Sequence, residues 1–307
     1  MINLPFKNSI LSALLKQRIK QINNVNSSPL ITQEKIFTGL IKKALDTKFG
    51  NDHSFAKIKS YDDYKKNVPI RKYEEIFPYI EQMRLGEKNI LWPGKTFFFA
   101  KSSGTTNAKS KYIPLSNDTL YDCHFKGGKD MLAIYLNNNP ESRVFNGKGI
   151  MLGGSKETYN KIIEGDLSAI LLDNFPFWVN SHRIPDIETA LSDNWNEKLE
   201  KITEQSIKQN ITNLTGVPSW MLILLSKIIK KTGVNNINDI WPNLELYMHG
   251  GVNFQPYKNQ FSKLIGNKKM NYLEAYNASE GFFAIQDQKI SKEMLLMLDY
   301  GVFYEFI

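Results

Sequence analysis

Between Thr96 and Ser116 the chain reads TFFFAKSSGTTNAKSKYIPLS, a concentration of groups suited to an anion. Ser102, Ser103, Thr105 and Thr106 bring hydroxyl donors, and Gly104 lets backbone N–H groups come close to an oxygen. Lys101, Lys109 and Lys111 add positive charge. The flanks read as strands: Thr96 to Ala100 is a short β-prone run, and Pro114 keeps Ile113 out of the helical region within Tyr112 to Leu115. A Walker loop would need a second glycine before the lysine, then Ser or Thr and a helix. Here Lys111 is followed by Tyr112 and a strand, so nucleotide hydrolysis of that class is not expected. Composition alone leaves two readings, a polyphosphate cradle and a solvated Ser/Thr-rich hairpin loop.

Two later stretches have a chemical reading of their own. His249-Gly250-Gly251-Val252-Asn253 follows a strand at its carboxyl end, where open α/β sheets bind ligands, and a Gly-Gly pair lets a flat ring lie against the backbone. A plain strand-to-helix turn is the alternative. In NYLEAYNASE, Asn271 to Glu280, Tyr276 could stack on a base, Ser279 could donate to a phosphate, and Glu280 could take a hard cation through oxygen. Taken singly, Tyr276 and Glu280 also fit a core aromatic and a solvated acid. No rival site emerges. His53, His124, His182 and His249 lack ligand spacing, Cys123 is the single cysteine, and no Gly-x-Ser-x-Gly occurs.

The elements that must position these groups divide near residue 90. Before it the chain reads as helical: Ile10, Leu11, Leu14, Leu15, Ile19 and Ile22 recur at helical spacing, Glu34 to Phe49 has an apolar face with Thr32 as its cap, and shorter helices follow at Tyr61 to Val68 and Tyr73 to Leu85. After Pro114 a helix should run from Asp118 to about Leu136, with Gly127-Gly128 marking either close packing or room for a substrate. GDLSAILL from Gly165 reads as a helix with Asp166 in its first turn, Trp195 to Lys208 as an amphipathic helix, and Pro218 as the first residue of another. Strands fall at roughly 96–100, 112–115, 148–153, 211–215, 244–248, 271–276 and 282–286, which predicts an α/β fold.

At 307 residues and 42% hydrophobic content a buried core is assured. No apolar run approaches the roughly 20 residues a membrane span needs, so stable membrane insertion is not expected. The lone cysteine suits the cytoplasm. The net charge of +8 is spread along the chain without a nucleic-acid signature, and reads as solubility and attraction for anionic substrates. Oligomeric state is not readable.

KSSGTT with SKYIPLS resembles the phosphate-binding loop of acyl-adenylate-forming enzymes, the firefly luciferase superfamily, and within it the auxin-responsive acyl-acid amido synthetases of the Gretchen Hagen 3 type and their bacterial relatives. GDLSAI, GVPSWM, GGVNF, YNASEG and LLMLDYGVFYEFI extend the resemblance in order along the chain. The family often has Gly at Ala108, and usually Ser at Ala278. The resemblance implies the N-terminal domain of such an enzyme, with mixed sheets flanked by helices, a helical lead-in at 1–90 and an adenylating domain over 1–307. It also implies a chain incomplete at its C-terminus, without the small closing domain. The implied reaction is adenylation of a small carboxylic acid by ATP with Mg²⁺, then acyl transfer to an amino acid amine. Lys111 and Glu280 would be catalytic, with Glu280 on the metal. Ser102, Ser103, Gly104, Thr105, Thr106, Lys111, Gly250, Gly251, Val252, Asn253, Tyr276, Ser279 and Glu280 would bind ATP. Tyr121, His124 and Trp220 would line the acid pocket. An acyl-protein synthetase, an acyl-CoA ligase relative, a silent nucleotide-binding remnant and a basic nucleic-acid-binding module are the alternatives.

Overall fold

The computed structural model describes residues 7–102, 110–289, 291 and 293–306. Five helices open the chain: α1 Lys7–Ser27, α2 Pro29–Lys43, α3 Lys48–Asp52, α4 Tyr61–Asn67 and α5 Tyr73–Arg84. The single helix expected over 34–49 is two. Pro29 starts α2 at its first turn, which places Thr32 inside the helix instead of at its cap. The chain then breaks at Ala44, and Thr47 starts α3 by accepting the Gly50 N–H at 3.0 Å. Gly86, at φ +92°, ends the segment after α5.

β1 Phe98–Ser102 and β2 Lys111–Leu115 follow, then a π-turn over Thr119–His124 that continues into α6 Phe125–Asn138. The helix expected from Asp118 therefore forms, with its first turn widened. The remainder is β3 Lys148–Met151, β4 Lys156–Tyr159, β5 Ile162–Gly165, α7 Leu167–Asp173, α8 Phe177–Asn180, β6 Arg183–Ile184, α9 Ile187–Ala190, α10 Trp195–Ile207, β7 Ile211–Thr215, α11 Pro218–Thr232, β8 Leu246–Gly250, α12 Lys258–Ile265, β9 Asn271–Ala278, β10 Gly281–Ile285 and β11 Leu295–Leu296. Asp166 sits at the N-cap of α7, where its carboxylate accepts the Ser155 N–H at 2.9 Å; Gly165 belongs to the preceding strand.

Among the described residues the strands form two sheets, ordered β2-β1-β5-β4 and β11-β10-β9-β8-β7-β3-β6. Both are mixed. In the larger, β6, β3, β7, β8 and β9 run parallel, β10 returns antiparallel to β9, and β11 is antiparallel to β10. Alternate residues of β8 show which helices cover it. Tyr247 packs with residues of α10, α11 and α12, whereas Leu246 and Met248 pack with residues of α1 and α6. The larger sheet is thus a middle layer, and its parallel strands end together on one side. The chain passes between the sheets through Gly153-Gly154-Ser155. There the buried ammonium of Lys198 donates to the Gly153 carbonyl at 3.1 Å and to the Gly154 carbonyl at 3.0 Å.

Candidate active site

The two feet of the Ser/Thr-rich loop are fixed by pairing, since Ser102 at the end of β1 faces Lys111 at the start of β2. Ser103, Gly104, Thr105 and Thr106 lie outside the described residues. Lys111 has no carboxylate partner among the described residues, and its ammonium lies 5.3 Å from the centre of the Tyr73 ring. Tyr73 in turn accepts the Tyr112 N–H at 2.7 Å, which docks α5 onto β2. Lys101, by contrast, is paired with Glu157 at 3.2 Å. Of these two described lysines, Lys111 is the one without a carboxylate partner among the described residues.

The carboxyl ends of β7, β8 and β9 gather the other stretches. Gly250 pairs with Ala275, and a Cβ on it would come within 2.3 Å of the Ala275 carbonyl oxygen; Gly251 has φ +81°. Neither position accepts a larger residue without strain. Val252 is exposed, and the Asn253 carboxamide oxygen accepts the Gln255 N–H at 3.0 Å, closing the turn. Tyr276 is 55% exposed with its ring 5.1 Å from that of Phe283. Ser279 and the exposed Glu280 make no hydrogen bond or ion pair among the described residues. A partly exposed ring, two glycines and a carboxylate without a partner among the described residues therefore lie at the carboxyl ends of neighbouring strands β8 and β9 and the corner after β9.

The three residues expected in an acid pocket are divided. Tyr121 is exposed, its ring 5.4 Å from that of Phe125, and His124 is buried with Nδ1 2.9 Å from the Asn277 carboxamide oxygen. Trp220 instead packs against Trp195, at 5.1 Å between rings, in the cluster around α10, α11 and α12. No hydrogen bond or ring contact joins Trp220 to the other two among the described residues. Gly127 is a packing position, because a Cβ there would meet the Phe282 ring at 2.4 Å; Gly128 faces open space. Burial pushes the imidazoles of His124 and His249 down to about 4, so both are neutral near pH 7.

Two residues were not singled out from the sequence. Asn277 is the partner of His124, and Thr215 ends β7 with a buried hydroxyl that has no partner among the described residues. Asn277 lies within the YNASE stretch already quoted; Thr215 had only its place at a strand end before Gly216 and Pro218 as a signal.

Solved structures share this architecture. The GH3.15 acyl acid amido synthetase superposes with a TM-score of 0.73 at 14% identity, over 93% of this chain and 59% of that one. A 2-hydroxyisobutyryl-CoA ligase in complex with 2-HIB-AMP and CoA gives 0.54 at 13% identity, over 87% of this chain and 54% of its own. The fold is that of the acyl-adenylate-forming enzymes. Residues 18–270, most of the chain, match the GH3 family N-terminal domain, and the chain belongs to that family. Two relatives from Arabidopsis thaliana align over shorter stretches. A putative indole-3-acetic acid-amido synthetase, GH3.9, is 28% identical over 97 residues, covering 31% of this chain and 16% of the relative. A 4-substituted benzoates-glutamate ligase, GH3.12, is 35% identical over 89 residues, covering 24% and 16%. The chain thus spans 59% of the GH3.15 chain, and the aligned stretches are small parts of both plant proteins.

Proposed function

We propose that this chain carries the adenylating part of an acyl-acid amido synthetase, acting in the cytoplasm on a small carboxylic acid, ATP and an amino acid. The observation that carries the reading is the placing of Gly250, Gly251, Tyr276 and Glu280 at neighbouring strand ends in a chain of the GH3 family. A carboxylate resists attack because it is already anionic. Joining it to the α-phosphate of ATP, with pyrophosphate leaving, supplies the leaving group that an amine can displace. Two anions must approach for that step. The ammonium of Lys111 and the donors of the 102–106 loop offset the repulsion and stabilise charge growing on the phosphoryl oxygens. Tyr276 and the glycines seat the adenine, and Ser279 donates to phosphate. Lys111 and Glu280 are the catalytic pair in this scheme, and Tyr121 and His124 border the acid.

Among the described residues no three His, Cys, Asp or Glu side chains converge on one point. Mg²⁺ is held mainly by phosphate oxygens and water with one or two carboxylates, and Glu280 would supply one. The ion would neutralise phosphate charge. Transfer to CoA is the second reading, and the greater likeness to the amido synthetase fold, 0.73 against 0.54, favours the amide. No described helix is long and apolar enough to cross a membrane. The test is ATP–pyrophosphate exchange with a panel of carboxylic acids, followed by product analysis with amino acids and with CoA. Exchange with at least one acid and an amide product are expected. Exchange with none overturns the reading, and a thioester in place of an amide transfers it to the CoA ligases.

A further inference from the structure

The proposed reaction brings together groups that stand on different sheets, Lys111 on β2 of the smaller and Glu280 at the β9–β10 corner of the larger. A short stretch of chain joins them. Beyond Leu115, Ser116 accepts the Thr119 N–H at 3.1 Å, and the π-turn begins. Its last two residues reach the hairpin on either side of the corner. Cys123 Sγ accepts the Phe282 N–H at 3.2 Å, and His124 Nδ1 lies 2.9 Å from Asn277 Oδ1. One turn on, the bare Cα of Gly127 lets α6 settle against the Phe282 ring. A π-turn re-aims side chains relative to the regular helical register, and such turns recur at functional sites. Here two consecutive side chains grip strands of the same hairpin, just before and just after Ala278-Ser279-Glu280-Gly281.

The polarity of the His124 contact follows from its partner. A carboxamide oxygen only accepts, so Nδ1 carries the proton, and Nε2 is left as a buried acceptor without a partner among the described residues. The ring is 3% exposed. Burying an imidazole with one nitrogen unpaired costs stability, whereas an apolar side chain of similar size would cost none. Packing therefore gives no reason for a histidine here, and the bond to Asn277 gives one.

We infer that His124 is a positioning residue for the proposed adenylation: through Asn277 it holds the Tyr276–Glu280 corner at a fixed offset from the strand carrying Lys111. The inference rests on the function proposed above. It acts on the geometry of nucleotide and metal binding, and His124 itself need not touch either.

Calorimetry of ATP binding to the whole chain, with and without Mg²⁺, tests it alongside thermal unfolding. His124→Leu and Asn277→Leu should each weaken ATP·Mg²⁺ binding about fivefold to tenfold, the loss expected for one buried hydrogen bond, and the double variant should lose no more than either. His124→Asn places an amide N–H near the position of Nδ1 and should stay within about twofold of the parent. The Tm of His124→Leu should hold or rise, since the unpaired Nε2 leaves with the ring. Affinities equal to the parent's, losses that add in the double variant, or a fall in Tm that accounts for the lost affinity would each overturn the inference. A parent chain that binds no ATP overturns it together with the reading beneath it, whereas a binding parent with unaffected variants overturns the inference alone.

Discussion

The two faces of the larger sheet are built on different terms. Under α10, α11 and α12 the packing is mainly hydrocarbon, and most of its buried polar groups turn to backbone: Trp241 Nε1 donates to the Ser206 carbonyl at 3.2 Å, the Tyr247 hydroxyl to the Gly216 carbonyl at 2.9 Å, and the Lys198 ammonium to the Gly153 and Gly154 carbonyls, while the buried His249 has Nδ1 without a partner among the described residues. Under α1 and α6 lies a charged network, centred on the buried Asp130 and half-buried at its other charged members. Asp130 accepts from Arg18 Nη2 and from the Tyr300 hydroxyl, both at 2.7 Å, and Asp299 accepts from Arg18 and Lys126. Burial works against the Arg18 charge, yet its hydrogen bonds to Asp130 and Asp299 raise its proton affinity further; burial likewise opposes the Asp299 charge, and Arg18 and Lys126 still hold that carboxyl below its usual range. An apolar face asks only for volume and hydrophobicity. The charged face names its partners, residues 112 and 281 positions apart, and it is the face that carries the π-turn and the corner at 276–280.

The sharpest way to break this contrast is to delete one member from each side. Asp130→Ala leaves Arg18 half-stranded and should cost about 3–5 kcal/mol, while replacing both Asp130 and Arg18 with apolar residues should recover much of that. Leu224→Ala on the other face should cost about 2–5 kcal/mol with no compensating partner available. Urea unfolding of the three variants decides; a cost below about 1 kcal/mol for Asp130→Ala would show that the network is ornamental to stability.

A second measurement finds what the faces share. Each holds a neutral histidine, His124 on one and His249 on the other, with folded-state values near 4 against about 6.5 unfolded. The unfolded chain takes up protons first, so stability is complete above about pH 6.5 and is lost as pH falls toward 4, by up to about 3 kcal/mol for each ring. Asp299 adds its loss only lower, below the ordinary carboxylate range. His124→Leu and His249→Leu should each flatten the slope between pH 6.5 and 4 by its own share; an unchanged slope would mean that the rings take up a proton as readily in the folded chain as in the unfolded one.

The smallest expected effect on folding belongs to the smaller sheet. Lys111→Ala should lower pyrophosphate exchange at least tenfold by removing a charge-assisted contact of about 1.5–3 kcal/mol. Its loss from the Tyr73 ring should cost only about 0.5–1 kcal/mol in stability. A full exchange rate in this variant would remove Lys111 from the site.

Much of the parallel sheet was legible because its strands are short apolar runs between turn residues, and β7 was placed to the residue. β4 and β5 were not. KETYNKIIEG offers little apolar alternation, since β4 is an exposed edge, and its pairing with β5 depends on backbone that no side-chain pattern reports. The break at residues 44–47 hid inside a helical periodicity that continued across it. The proposed site is built from motifs readable in the sequence, glycines and polar residues at strand ends. What joins the motifs was not readable, because the π-turn is one residue's change of register and the His124–Asn277 bond spans 153 positions. The separation of Trp220 from His124 had the same origin: helical spacing tells which residues share a face, not which side of the sheet that face covers.

The passage at Gly153-Gly154-Ser155 has a consequence for how this chain can be inherited and made. The strands are contributed alternately, β1 and β2 to the smaller sheet, β3 to the larger, β4 and β5 back to the smaller, and the rest to the larger. Cutting the gene at that point would leave neither product with a whole sheet. On the ribosome the smaller sheet cannot close until residue 165 has emerged, and by then β3 is waiting for neighbours not yet translated, an exposed strand with its edges unpaired. Evolution can therefore exchange this unit between proteins only in one piece.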